Sequence, residues 1–300
     1  MLKLFFIALT LFSSLSFAEE MLAADCRLFN TSGKMITTFP GKQCHFLDDG
    51  TVLSLAKTFL SRLGPDGKKL WQVDLKSFET TFTFAERNKF ILVTSSRNAE
   101  LPFDPRVFIF QIYDLEGNLK ESINSAHLFG TDKIVNVSDF GEGNDGKLFI
   151  NLFRDGVYIL SPDLKKVLKK IRFEGTDNHQ VKNVHMTDEG SFLYLHMPRK
   201  KPKQETPVVT LEEYFPERKK ISLRYPPRPS PSFYFPYGGS LSLTDQYYVI
   251  NHPLSGTYIV SRLTGEIKNY IIETHQTDLF RPPHSVRLLS RDKFFKGWKF

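Results

Sequence analysis

The sequence predicts an all-β fold, a six-bladed β-propeller with four-stranded blades whose closing blade is built from both termini. Three observations predict it: two kinds of hairpin alternate along the chain, their pairs recur at blade-like spacing, and the chain starts on one kind and ends on the other. The first kind joins an apolar strand to an alternating one through a turn carrying Gly, Asp or Glu. It occurs at Cys26–Pro40, Phe59–Leu75, Val107–Ile123, Val157–Phe173 and Thr257–Glu273, with a weaker copy at Val208–Leu223. The second kind is apolar on both sides of its turn, as at His45–Leu55, Phe78–Ser95, Val135–Phe153, Val181–Met197, Ser240–His252 and Ser285–Phe300. Turn residues bounding apolar or alternating runs are the hairpin signal.

The hairpin pairs recur every roughly 43–53 residues, the spacing of propeller blades. The first kind reads as the outer hairpin of a blade and the second as the inner; an outer hairpin comes first and an inner one last, so joining Cys26–Pro40 to Ser285–Phe300 completes a sixth blade and removes the free edges. No long segment after the N-terminus carries a helical period, so helix content is expected to be low. The 28 phenylalanines agree, because aromatic side chains favour strands.

Residues 1–18 read as a signal peptide. Lys3 supplies the positive start, Leu4–Leu15 the apolar stretch, and Ser16-Phe17-Ala18 the small residues of a cleavage site. An uncleaved anchor is the alternative, but the run is short for a membrane span and meets Glu19 and Glu20 at once. Residues 19–300 form one domain in this reading, with no transmembrane segment after signal cleavage and a secreted or periplasmic location. Cys26 and Cys44 are then expected to form a disulfide, worth about 3 kcal/mol by the chain-entropy relation. Two buried free thiols are the alternative.

The formal net charge is +7, and cleavage removes only Lys3 from the cations. The excess is dispersed except at 199–203 and 218–220, which favours anionic partners and gives no reason to expect nucleic acid. Gly141-Glu142-Gly143-Asn144-Asp145-Gly146 matches a phosphate-loop pattern by letter. It joins two strands, no helix follows, and its carboxylates would repel a phosphate, so it reads as a turn.

Asp66-Gly67-Lys68-Lys69-Leu70-Trp71 resembles the outer-turn motif of quinoprotein-type propeller repeats. Pro283-His284-Ser285-Val286 resembles a blade start in NHL-type six-bladed propellers. What the resemblance implies is architecture; without the repeated Trp in the other blades it implies no pyrroloquinoline quinone site.

Propeller topology sorts residues onto two faces. Strand starts one and three share a face with strand ends two and four, and all the long connections lie there. On that face the sequence places His45 and His284 at starts of innermost strands, His127, His179 and His275 in connections, and His196 and His252 at ends of second strands. His185 falls towards the other face. His45 and His284, with Asn136 and Asn183 in comparable places, are candidate ligands of a divalent metal at the channel mouth. Some six-bladed propeller lactonases and lyases use such sites, although an acidic residue is lacking at these strand starts. Hydrogen-bonded channel side chains without metal are the alternative.

A second candidate region joins Arg199-Lys200-Lys201-Pro202-Lys203 to the proline-rich stretch Tyr225–Tyr237. Arg199, Lys200 and Arg228 supply cations, and Phe233, Tyr234 and Tyr237 aromatic faces, a combination that suits a protein, peptide or anionic glycan. A packed cover over the blades is the alternative. The expected function is therefore a binding or scaffolding propeller recognising such a partner on this face, with no resident cofactor required. A metal-dependent, lactonase-like hydrolase or lyase at the channel mouth is the second reading.

Overall fold

The computed structural model describes residues 20–290 except 25, 31–33, 99–107, 131–136, 144, 153–154, 174–180, 188, 197–209, 219, 226–239, 244–246, 253–255, 265–266 and 272–285. Among the described residues the chain forms six four-stranded antiparallel sheets. The first holds β1 (Glu20–Ala24), β2 (Arg27–Phe29) and β3 (Met35–Thr38), with β24 (Val286–Ser290) beside β1. The second runs β4 (Gln43–Phe46), β5 (Val52–Ala56), β6 (Phe59–Leu63) and β7 (Lys69–Asp74), and the third β8 (Ser77–Ala85), β9 (Phe90–Asn98), β10 (Ile109–Tyr113) and β11 (Leu119–Asn124). A short helix, α1 (Ser125–Phe129), leads to the fourth, with β12 (Val137–Glu142), β13 (Leu148–Leu152), β14 (Gly156–Leu160) and β15 (Val167–Ile171). The fifth holds β16 (Val181–Met186), β17 (Phe192–His196), β18 (Thr210–Phe215) and β19 (Lys220–Tyr225). The sixth holds β20 (Ser240–Leu243), β21 (Tyr247–His252), β22 (Gly256–Ser261) and β23 (Ile267–Ile271).

The middle strands explain why the sheets stack. β13 (LFINL) and β14 (GVYIL) are buried at every position. Successive side chains of a strand point to opposite faces, so an all-buried strand needs cover on both sides. In β13, Leu148, Ile150 and Leu152 pack with Leu92 and Phe110 of the third sheet, while Phe149 packs with Phe192 and Tyr194 of the fifth. In β9, Leu92 faces the fourth sheet, whereas Ile91 and Val93 join Leu53 and Leu55 of the second. One apolar strand thus feeds two cores. A fourth cluster, including Met21, Leu28 and Leu289 with Phe46, Val52 and Leu63, joins the first sheet to the second.

Fourth strands are different. β7 and β15 are largely exposed. Lys69, Lys120, Lys169 and Lys170 line these outer edges, where charge discourages pairing with another chain. The turns follow the sequence signals: at Asp66-Gly67 the Gly67 N–H donates to the Gly64 carbonyl at 2.9 Å, with Gly67 at φ +75°. In each sheet that runs in chain order, the connection to the next sheet leaves from the same end as the second-to-third connection, here called the connection end. The hairpin turns occupy the opposite, turn end.

The first and last strands share a sheet. β1 pairs with β24 over five residues, from Glu20 opposite Ser290 to Ala24 opposite Val286. One detail departs from the sequence reading. The second strand of this sheet is β1, not the end of the Ser285–Phe300 hairpin, and residues 291–300 lie outside the described set. β1 is only five residues long, and its apolar residues follow closely on the apolar sequence of 4–18, so its pattern merges with that run. The disulfide Cys26–Cys44 ties the β1–β2 connection to β4, with a Cα separation of 4.8 Å and both residues buried. Reduction is expected to cost about 3 kcal/mol of stability, read as an earlier urea midpoint. An unchanged midpoint would remove the bridge from this account.

Candidate functional site

The joints between sheets consume much of the polar chemistry. The Gln43 side chain exchanges two hydrogen bonds with the backbone of Phe82, at 2.7 and 3.1 Å, so it pairs β4 with β8 as a strand would. On the outer side of the same joint, the Trp71 indole donates to the Leu115 carbonyl at 2.7 Å, and Arg62 donates to it at 3.1 Å. A Cβ on Gly117 (φ +85°) would stand 2.9 Å from the Trp71 ring, so glycine is required there for Trp71 to seat. The Trp-bearing turn motif therefore acts as a dock onto the neighbouring sheet.

The glycine-rich stretch serves the next joint. Glu142 accepts from the backbone N–H groups of Arg87 and Asn88, at 2.8 and 2.9 Å, and from the Asn88 amide. The anion received by these N–H groups is the chain's own carboxylate. The Phe149 ring lies where a Cβ on Gly141 would stand, so that glycine makes room for a core aromatic.

Asp139 on β12 holds the joint to the fifth sheet. It accepts from the Asn151 amide at 2.9 Å and from the Asn183 backbone N–H at 3.0 Å. The ladder breaks register beside both Asp139 and Asn183, and Asn183 is left-handed at φ +53°. Asp139 is the acidic residue that the sequence reading missed near these strand starts. Its signal was hidden because the strand was begun at Val135, which placed Asp139 deeper inside. His185 then reaches the sixth sheet, its Nε2–H donating to the Leu241 carbonyl at 2.6 Å.

Of the expected metal ligands the structure describes His45 and Asn183, and they stand on different sheets. His284 and Asn136 lie outside the described residues. Asn183 stands on β16, while His45 stands on β4 with its ring edge-on to Phe84 at 5.3 Å and Nε2 3.7 Å from Glu86. Phe84 and Glu86 approach the β8–β9 turn, so the His45 ring is directed to the turn end instead of the connection end. Among the described residues no group of three or more His, Cys, Asp or Glu side chains stands at metal-binding range.

A cavity of about 170 Å³ opens beside His45, lined also by Asp48, Asp49, Phe84, Glu86 and Lys89. Two of its carboxylates have partners: Glu86 stands 3.7 Å from His45 Nε2, and Asp49 pairs with Arg62. Burial raises the Asp49 carboxyl, but the Thr51 hydroxyl and N–H, together with Arg62, outweigh burial and hold it below the usual carboxylate range. Lys89 Nζ stands 6.0 Å from the Phe84 ring centre.

A second constellation lies at the connection end of the fifth sheet. Tyr194 stacks on Phe173, with ring centres 4.7 Å apart and planes 8° from parallel. Its hydroxyl donates to Glu212 at 2.9 Å, and the His196 Nδ1–H donates to the other Glu212 oxygen at 2.9 Å. His196 ends β17 and Thr210 begins β18, so this cluster fixes both ends of the connection that carries Arg199 and Lys200. The sequence reading placed His196 at a strand end but missed Glu212, whose partner is a strand away. Arg199, Lys200, Arg228, Phe233, Tyr234 and Tyr237 themselves lie outside the described residues.

With this geometry in hand, no protein-family model matches the chain, and no curated protein does. Solved structures do. A Bacteroides caccae protein of unknown function aligns with a TM-score of 0.61 at 11% identity, over 90% of this chain and 98% of its own. The Neurospora crassa Pan2 WD40 domain aligns at 0.50 and 12%, over 85% and 81%. A puromycin hydrolase aligns at 0.50 and 11%, over 85% of this chain and 43% of its own. At such identities the likeness concerns fold alone, and it defines a β-propeller-like protein.

His185 gives the joints a pH signature. Burial lowers its pKa below the ordinary 6.5, against a weaker opposing effect of the Leu241 hydrogen bond. The neutral ring is therefore favoured in the fold, and its contribution is complete above about pH 6.5. It is lost as pH falls from there through the lowered folded value, because the unfolded chain binds the proton more readily. The melting temperature is expected to fall between pH 7 and 5, and His185→Gln, which keeps an N–H donor, to flatten that fall. An identical slope in both proteins would show that another group controls it.

Proposed function

We propose that the chain is a six-bladed β-propeller, its blades the six sheets and its ring closed where β1 pairs with β24. In this reading it is a secreted or periplasmic binding or scaffolding protein that recognises a partner through the connection end. The observation that carries the reading is the anchored base of the 197–209 connection. Phe173, Tyr194, Glu212 and His196 hold both of its ends on packed strands. A binding loop gains precision when the elements beneath it are locked.

The connection carries Arg199, Lys200, Lys201 and Lys203. The next one, leaving the same end of the same sheet, carries Arg228, Phe233, Tyr234 and Tyr237. Cations beside aromatic faces suit an anionic glycan, or an acidic peptide or protein, because ring faces stack while guanidinium and ammonium groups meet carboxylate or sulfate. The reading requires no cofactor. Heparin serves as an anionic-glycan probe. Arg228→Ala and Tyr234→Ala are each expected to weaken heparin binding about fivefold or more, the loss of a contact worth about 1 kcal/mol, with melting temperature unchanged. If the variants instead unfold early while the folded fraction binds normally, these side chains pack the fold and the site is elsewhere.

A further inference from the structure

The cavity beside His45 lies where the second and third sheets meet at the turn end. Asp48 and Asp49 reach it from the β4–β5 turn, Glu86 and Lys89 from the β8–β9 turn, and Leu115 from the β10–β11 turn. Arg62 ties these turns together. Its guanidinium pairs with Asp49, which also accepts from the Thr51 N–H and hydroxyl, and it donates to the Leu115 carbonyl at 3.1 Å. The Trp71 indole holds the same carbonyl at 2.7 Å. Leu47 and Phe84, 7% and 8% exposed, give the space an apolar side. The frame is therefore fixed by contacts that do not occupy the cavity.

Two of the lining charges take no part in that frame. Asp49 is matched by Arg62, and Glu86 stands beside His45. The Asp48 carboxylate and the Lys89 ammonium have no ion-pair partner among the described residues. They come from turns of different sheets and are opposite in sign. Lys89 Nζ stands 6.0 Å from the Phe84 ring centre, so the positive group is set above the apolar side.

We infer that this cavity binds a free α-amino acid with an apolar side chain. Such a ligand carries an ammonium and a carboxylate on one carbon. Asp48 receives the ammonium, Lys89 the carboxylate, and the side chain lies against Leu47 and Phe84. Each ligand charge then meets its opposite, the condition under which charged groups can leave water. A volume of about 170 Å³ suits one residue and not a peptide; an engineered cavity of about 150 Å³ takes benzene. A lone cation or lone anion would match only one of the two charges. The site is at the opposite end from the connections of the proposed partner surface, so neither reading depends on the other.

The test titrates the protein with L-leucine and with two analogues that each lack one charge, isoamylamine and isocaproate. L-leucine is expected to bind with a Kd below about 1 mM, and each analogue about tenfold or more weakly. Asp48→Asn is expected to weaken L-leucine about tenfold while leaving isocaproate unchanged. Lys89→Asn is expected to weaken L-leucine equally while leaving isoamylamine unchanged. Asparagine tolerates the left-handed backbone at that position, φ +55°. No binding of L-leucine overturns the inference, as does an analogue that binds as tightly or a wild-type affinity in both variants. Should a variant melt early, Asp48→Glu and Lys89→Arg decide the matter: retained L-leucine binding supports the assignment, and its loss from the folded protein overturns it.

Discussion

A sheet whose middle strands are buried at every position has two faces to cover, and only neighbours on both sides can cover them. That constraint governs this molecule. Leu148, Ile150 and Leu152 turn one way from β13 and Phe149 turns the other, so the fourth sheet is stable only between the third and the fifth. A linear stack would leave an apolar face at each end, at about 25 cal/mol for every Å² exposed. Pairing of the first strand with the last places both ends of the described chain in one sheet. Contacts of β24 with β20 and β21 carry the series on to the sixth sheet.

Among the described residues adjacent sheets are not joined by a continuous backbone ladder, and side chains supply what the ladder does not. Gln43 reproduces a strand's donor and acceptor, Glu142 fills a pair of backbone N–H groups, Asp139 receives another, and His185 meets a carbonyl. Each satisfies a backbone group that would otherwise be costly to bury. This explains why carboxylates and imidazoles that resemble catalytic equipment in the sequence have structural partners here. It also leaves the cations of 199–203 and the aromatics of 233–237 as parts of the sequence that building the described sheets does not explain.

Much of the architecture was legible because it is local. Asp-Gly and Glu-Gly turns between apolar runs marked hairpins at Asp66-Gly67 and Glu116-Gly117, and the structure turns at both. The shared sheet of the two ends was legible from hairpin phase, but not the identity of its second strand, because β1 is short and its apolar residues run on from the apolar sequence of 4–18. The site was less legible for a physical reason: its partners are distant in sequence. Glu142 meets Arg87 across 55 positions, Asp139 meets Asn183 across 44, and neither separation leaves a periodic trace. His45 was assigned to the connection end from its place near a strand start. The ring instead turns to Phe84 and Glu86 at the other end, an orientation set by packing between β4 and β8.

Pairing of β1 with β24 is the contact that brings the first and last described strands together, and a cross-link tests it directly. Leu22 and Leu288 are paired across β1 and β24. Directly opposed residues in an antiparallel pair hold their Cβ atoms about 4.5–5.5 Å apart, near enough for a disulfide after slight adjustment. With Cys26 and Cys44 replaced by alanine, the Leu22→Cys, Leu288→Cys protein is expected to form an intramolecular bridge under mild oxidation. Peptide mass spectrometry would detect the joined segments. Free thiols in the folded, oxidised protein, or bridges only between molecules, would contradict the pairing of β1 with β24.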